Sequence, residues 1–196
     1  MNSILAQSLK RQVLHNPPPR IFVTGLFGTG KTTVCTHLKR ELSEYDSISL
    51  DYDIGYYKRS TQELVEQDQS LHQKLTSNSN VIMDALPEYH LSQVWDSVGE
   101  TPKLNLGGMP KFFSYAKSHE CMIVLLTCTL DHWLNVRVPK KKSDVAALVA
   151  KDLWREGCAE WTEHIGYYDY FHKTYAAPLI KHLSNKLQVI DTTDME

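Results

Sequence analysis

The chain has 196 residues, 42% of them apolar and 22% charged, with a formal net charge of -2. That length suits one compact domain with a sizeable core and is short for two. The composition is that of a soluble globular protein, and the near-neutral balance excludes a uniformly basic surface that coats nucleic acid.

Residues 4 to 14 set Ile4, Leu5, Leu9 and Val13 near one helical face, predicting a short amphipathic helix stopped by Pro17, Pro18 and Pro19. Residues 1–19 thus read as a helix and a stiff proline-rich lead-in. "RIFVTG" (20–25) is a β-rich run between proline and glycine, the signature of a buried strand. After a glycine-rich turn, Val34, Cys35, Leu38, Leu42 and Tyr45 recur at helical spacing with charges between them. Further strands are expected at "SISLD" (47–51), "NVIMDA" (80–85), "CMIVLLTC" (121–128) and "LQVID" (187–191). Helix-like stretches such as "STQELVEQDQSLHQKL", "PKFFSYAKSH" and "DVAALVAKDLWREG" alternate with them. Five strands alternating with helices predict an α/β fold, a three-layer α/β/α sandwich on a five-stranded, mostly parallel sheet. In such folds ligands bind beyond the carboxyl ends of the strands. There is no internal repeat, and "GETPKLNLGGMPK" (99–111) is the most loop-like interior stretch.

The most specific chemical signal is "FVTGLFGTGKTT" (22–33), which fills every position of GxxxxGK[ST]. Glycines let backbone N–H groups converge on phosphate oxygens, and the following helix presents its positive end. Lys31 reaches the terminal phosphates and the Thr32 hydroxyl is suited to Mg2+. Gly25, Gly28, Thr29, Gly30, Lys31, Thr32 and Thr33 are therefore the expected nucleotide-binding residues, with ATP and Mg2+ as cofactors. Cys35, Cys121, Cys128 and Cys158 show no metal spacing and are expected as buried, reduced thiols. No stretch approaches the roughly 18 apolar residues of a membrane span, so no membrane partner is expected. The N-terminus lacks a signal-peptide core, which predicts a cytoplasmic protein.

With this motif and order of elements, the chain from Arg20 to Asp194 resembles the small P-loop kinases, the group that includes nucleoside monophosphate, shikimate, gluconate and polynucleotide kinases. The resemblance implies one P-loop kinase domain over 20–196 with a lid at about 129–144. In relatives that phosphorylate a hydroxyl, an acidic residue at the end of the second strand accepts the hydroxyl proton. Asp51 and Asp53 in "SLDYDIGYYKR" match that position, with Asp53 as base and Asp51 as Mg2+ ligand or support. Asp84, ending the third strand, matches a carboxylate that organises Mg2+ through water; capping a following helix is the structural alternative. Arg59 matches an acceptor-binding arginine, whereas Glu88 stands where monophosphate kinases carry another. That departure favours a hydroxyl acceptor. In "TLDHWLNVRVPKKKSD", Arg137 and Lys140 to Lys142 resemble lid cations, with Arg137 catalytic and Arg155 a candidate second charge.

The acceptor implied is a nucleotide or nucleic acid: a polynucleotide 5'-hydroxyl, or 5-hydroxymethyluracil in DNA as in a phage DNA-modifying kinase acting in a host cytoplasm. A deoxynucleoside monophosphate kinase, a small-metabolite kinase and a non-catalytic ATP-binding module are the alternatives. The aromatic segment 153–175 offers bases for stacking, yet Phe171, Tyr175, Leu179 and Leu183 also form a core stripe at helical spacing.

Overall fold

The computed structural model describes residues 9, 11, 13–26, 28–49, 73–75, 77, 79–84, 108–140, 143, 146 and 165–193. Strands β1 (Arg20–Gly25), β2 (Asp46–Ser49), β3 (Val81–Asp84), β4 (Met122–Thr127) and β5 (Leu187–Asp191) form one sheet. The strand order is β2-β3-β1-β4-β5 and every pairing is parallel. All five predicted strands are present, and the sheet is parallel throughout rather than mostly so.

Alternation along β1 shows why the sheet has two covered faces. Ile21 and Val23 pack with Val34, Cys35 and Leu38 of helix α1 (Lys31–Glu41), together with Leu9 and Val13 ahead of the strand. Phe22 points the other way, onto Phe112 and Ala116 of helix α2 (Gly108–Ser118) and onto Leu179 and Leu183. A strand buried on both sides reads as a continuous apolar run, as β1 does. The Phe22 and Phe112 rings meet edge to face at 5.4 Å, a favoured aromatic geometry. The two clusters and the sheet between them make the three layers.

The proline-rich lead-in is docked. The Tyr45 hydroxyl lies 3.1 Å from each of the Pro17 and Pro18 carbonyls, and Val81 N–H donates to the Pro19 carbonyl at 2.7 Å. Arg20 supports the opposite end of the sheet from the glycine-rich turn, donating to Leu75 and Ser77 carbonyls at 3.1 and 2.7 Å.

Beyond β4 the chain turns into α3 (Leu130–His132), capped by the Thr129 hydroxyl, and widens into a π-helical turn, Trp133–Arg137. Nearer the C-terminus, α4 (Ile165–Phe171) leads through a second π turn, His172–Ala176, into α5 (Ala177–Leu183). Each π turn ends one residue before a Val-Pro or Ala-Pro step, at Pro139 and Pro178. A proline in a helix has no N–H and crowds the carbonyl four residues back, and a wide turn relieves that crowding. The stripe predicted on the last helix holds, because Phe171, Leu179 and Leu183 are buried and Tyr175 packs against the same core.

Of the remaining sequence-based expectations, the helices at 60–75 and 144–157 lie outside the described residues save for 73–75 and 146. Cys35, Cys121 and Cys128 are buried free thiols, while Cys158 lies outside.

Candidate functional site

The carboxyl ends of β1 and β3, the loop after β1 and the start of α1 meet at one edge of the sheet. Two glycines set the loop's path: Gly28 has φ 80° and Gly30 φ 90°, left-handed values that cost a side-chain-bearing residue about 1–2 kcal/mol. Gly25 is required for a different reason. A Cβ there would lie 2.5 Å from the Leu126 carbonyl of β4, so only glycine lets β1 end against its neighbour.

Thr29 holds the loop's shape. It is buried, and both its N–H and its hydroxyl donate to the Leu26 carbonyl, at 3.2 and 2.7 Å. Its side chain therefore faces the loop's interior and braces the loop expected to bind the nucleotide.

Lys31 curls back over the loop, with Nζ 3.4 and 3.3 Å from the Gly25 and Leu26 carbonyls. Both distances are long for hydrogen bonds to an ammonium, so phosphate oxygens compete well for it. The first turn of α1 carries no acidic side chain and its last turn carries Lys39 and Arg40, which leaves the positive helix end open to an anion. Thr33 is exposed on that first turn.

Thr32 and Asp84 join across the site, the Thr32 hydroxyl donating to Asp84 Oδ2 at 2.9 Å. Asp84 is 2% exposed and stands in register with Val23 of β1, two residues before the loop begins. A carboxylate that deep needs compensation. Two hard oxygens at that separation match adjacent ligands of an octahedron with Mg2+–O bonds of 2.0–2.1 Å, so the donor set fits Mg2+. Among the described residues no three His, Cys, Asp or Glu side chains cluster into a self-sufficient metal cage.

Arg137 approaches the loop from the far side. A Cβ on Gly28 would lie 3.3 Å from Arg137 Cβ, and Arg137 Nη2 donates to the Thr192 carbonyl at 2.9 Å. The segment expected as a lid is helical from Leu130 through Arg137, with Trp133 fully buried and Val138 nearly so. Those anchors fix its first half to the core, and Arg137 stands on a packed helix rather than on a free loop. Lys140 is exposed.

The aromatic segment splits in a similar way. Tyr168 donates to the Cys128 carbonyl at 2.7 Å and stacks near Trp133, and Phe171 is buried, so these rings serve the core. Burial also raises the Cys128 thiol to about 11, with Arg137 opposing the shift. Tyr170 remains 47% exposed. Asp51, Asp53, Arg59, Glu88, Lys141, Lys142 and Arg155 lie outside the described residues.

Sequence reading did not link the threonines after β5 to Arg137. Thr192 donates from N and Oγ1 to the Thr127 carbonyl at 2.7 and 3.0 Å, and Thr193 bonds to both Asp191 and Thr129. The only local signal was the "DTTD" run after the last strand.

The parallel sheet, its flanking helices and the glycine-rich loop between β1 and α1 define a P-loop kinase-like α/β fold. Residues 21–145 match the AAA domain family AAA_18, and the chain belongs to that family. No curated protein matches the sequence. Among solved structures, polyphosphate kinase 2 from Arthrobacter aurescens is similar at 13% identity and a TM-score of 0.51, over 96% of this chain and 67% of that one. Shikimate kinase from Bacteroides thetaiotaomicron aligns at 16% identity and a TM-score of 0.48, over 90% of this chain and 88% of that one. Deoxyadenosine kinase from M. mycoides aligns at 14% identity and a TM-score of 0.45, over 90% and 91%. The likeness to these enzymes is one of fold. No helix among the described residues is long and apolar enough to cross a membrane.

Proposed function

We propose that the protein is an ATP-dependent kinase that transfers the γ-phosphoryl group to a hydroxyl, on a nucleotide or nucleic acid. The observation that carries the reading is the meeting of Lys31 with the 2.9 Å Thr32–Asp84 pair at the open positive end of α1. An ammonium, the open start of a helix and a hydroxyl–carboxylate pair suit a Mg2+ nucleoside triphosphate. Thr32 and Asp84, the latter directly or through water, would hold Mg2+, which supplies charge neutralisation on the phosphate oxygens.

In the proposed reaction Lys31 and the loop amides orient the terminal phosphates, and Arg137 adds positive charge on the donor side of the loop. The acceptor oxygen forms a bond to the γ-phosphorus as the bond to the β,γ-bridging oxygen breaks, releasing ADP. Asp53 takes the acceptor's proton, with Asp51 and Arg59 holding the acceptor. Asp51 and Asp53 follow Ser49 by two and four residues, and Ser49 pairs in register with Asp84. Ser49, the last described residue before the acidic pair, thus stands beside the carboxylate already placed at the site, which supports a base over a remote surface role. Glu88, in place of an acceptor-phosphate arginine, supports a hydroxyl over a monophosphate.

The role of Asp53 is tested by steady-state transfer with Asp53→Asn. Loss of the proton acceptor should lower the maximal rate by about 100-fold or more while ATP affinity stays near wild type. A maximal rate within a few fold of wild type would remove hydroxyl activation from the mechanism.

A further inference from the structure

We infer that Thr193, steadied by Asp191, is a positioning residue that fixes Arg137 beside the phosphate loop; the inference rests on the ATP-binding part of the proposed function. Two adjacent residues after β5 grip the two ends of one helical segment. At its start, Thr193 Oγ1 accepts from the Thr129 N–H at 2.9 Å, and Thr129 is the N-cap whose own hydroxyl accepts from His132 N–H at 3.3 Å. At its end, the Thr192 carbonyl accepts from Arg137 Nη2 at 2.9 Å. The segment between is α3 and the π turn, with Arg137 Cβ against Gly28.

The grip is stiff because its own foundations are bonded. Thr192 is 2% exposed and doubly tied to the Thr127 carbonyl of β4. Thr193 donates to Asp191 Oδ1 at 2.6 Å from its hydroxyl and at 2.8 Å from its N–H. With its proton committed to the carboxylate, the Thr193 hydroxyl presents a lone pair to the Thr129 N–H. A hydroxyl side chain is needed at this position, because it must donate and accept at once. A closed ring results: Thr192, Thr193, Thr129, the helical segment, Arg137 and back to Thr192. The wide turn at Trp133–Arg137, where Val138 N–H reaches the Trp133 carbonyl, is the part of the ring that carries Arg137, with its Cβ beside Gly28. Loosening the start of the segment tilts it about Trp133 and moves Arg137 relative to Gly28.

The test is equilibrium binding of a fluorescent ATP analogue with Mg2+ to the full chain carrying Thr193→Val, Thr193→Ser or Asp191→Ala, beside the melting temperature of each. Thr193→Val and Asp191→Ala should each weaken binding about fivefold, the weight of one net hydrogen bond, and Thr193→Ser should restore it to within about twofold. In an Arg137→Ala background Thr193→Val should add nothing further, since the residue acts through that arginine. Unchanged affinity in Thr193→Val, or equal loss with and without Arg137, overturns the inference and leaves a purely structural bond. Asp191 is exposed, so its variant keeps the test available if Thr193→Val folds poorly. If the wild type binds the analogue but labels no acceptor, the kinase reading fails and the positioning result still stands. If the wild type does not bind it, both fall.

Discussion

Thr32 and Asp84 stand 52 positions apart in the chain, and the sheet brings them to one 2.9 Å contact. Asp84→Asn keeps the shape and halves the contact's charge-based strength, so Mg2+ dependence is the sensitive readout. The apparent Mg2+ affinity of ATP turnover should fall about 10- to 100-fold, with the fold retained in circular dichroism. Gly28→Ala probes the opposite side of the loop. Its φ of 80° strains an alanine, and the new Cβ would press on Arg137 at 3.3 Å. ATP binding should weaken about tenfold or more, whereas alanine at Lys117, which is exposed in the last turn of α2 and outside the loop, should leave it near wild type. The glycines, lysine and Thr32 were legible from sequence because they belong to one contiguous motif. Thr29's inward orientation was not, since a spacing pattern does not say which motif side chains hold the loop and which face the ligand.

At the scale of elements, the strands were readable because each is a short apolar run closed by glycine, proline or a polar pair. β2 begins at Asp46, one residue ahead of the expected 47, and residues 50–51 of the expected strand lie outside the described residues. The first half of the expected lid is packed against the core. Cations after the fourth strand suggested a mobile cover, yet Trp133 and Val138, four residues before and one after Arg137, bury that segment in the core. The bonds that place Arg137 join residues 55 and 64 apart, and partners so distant leave no periodic trace in the sequence. Pro139 and Pro178 were the available signals for the two wide turns. Because Trp133 anchors the segment carrying Arg137, Trp133→Ala should cost about 3–5 kcal/mol in urea unfolding. Val189→Thr, at an outward position of β5 that is 47% exposed, should change stability by less than about 0.5 kcal/mol.

For the molecule as a whole, the described residues pack on both faces of one parallel sheet, and the candidate site sits at the carboxyl edge of that sheet. His172 links the layers to pH. Burial lowers its imidazole below the ordinary value, the Asp169 carboxylate partly opposing, and its ring lies 4.3 Å from that of Tyr168. In the unfolded chain the same histidine binds its proton more readily. Stability therefore stands in full above the ordinary histidine pKa and is lost as pH falls through the lowered folded value. His172→Gln should shrink the difference in urea midpoint between about pH 8 and about pH 5.5, and an unchanged difference would remove His172 from the acid response. The fold class was legible in full, but the acceptor was not, because the phosphate loop specifies the donor alone. The decisive measurement is transfer of label from γ-labelled ATP to a panel of nucleosides, nucleoside monophosphates, oligonucleotides and hydroxymethylated DNA. A hydroxyl-bearing acceptor should take the label, with loss of about 100-fold or more in Lys31→Ala. Label confined to the phosphates of monophosphates, or no transfer to any acceptor despite ATP binding, would contradict a hydroxyl kinase.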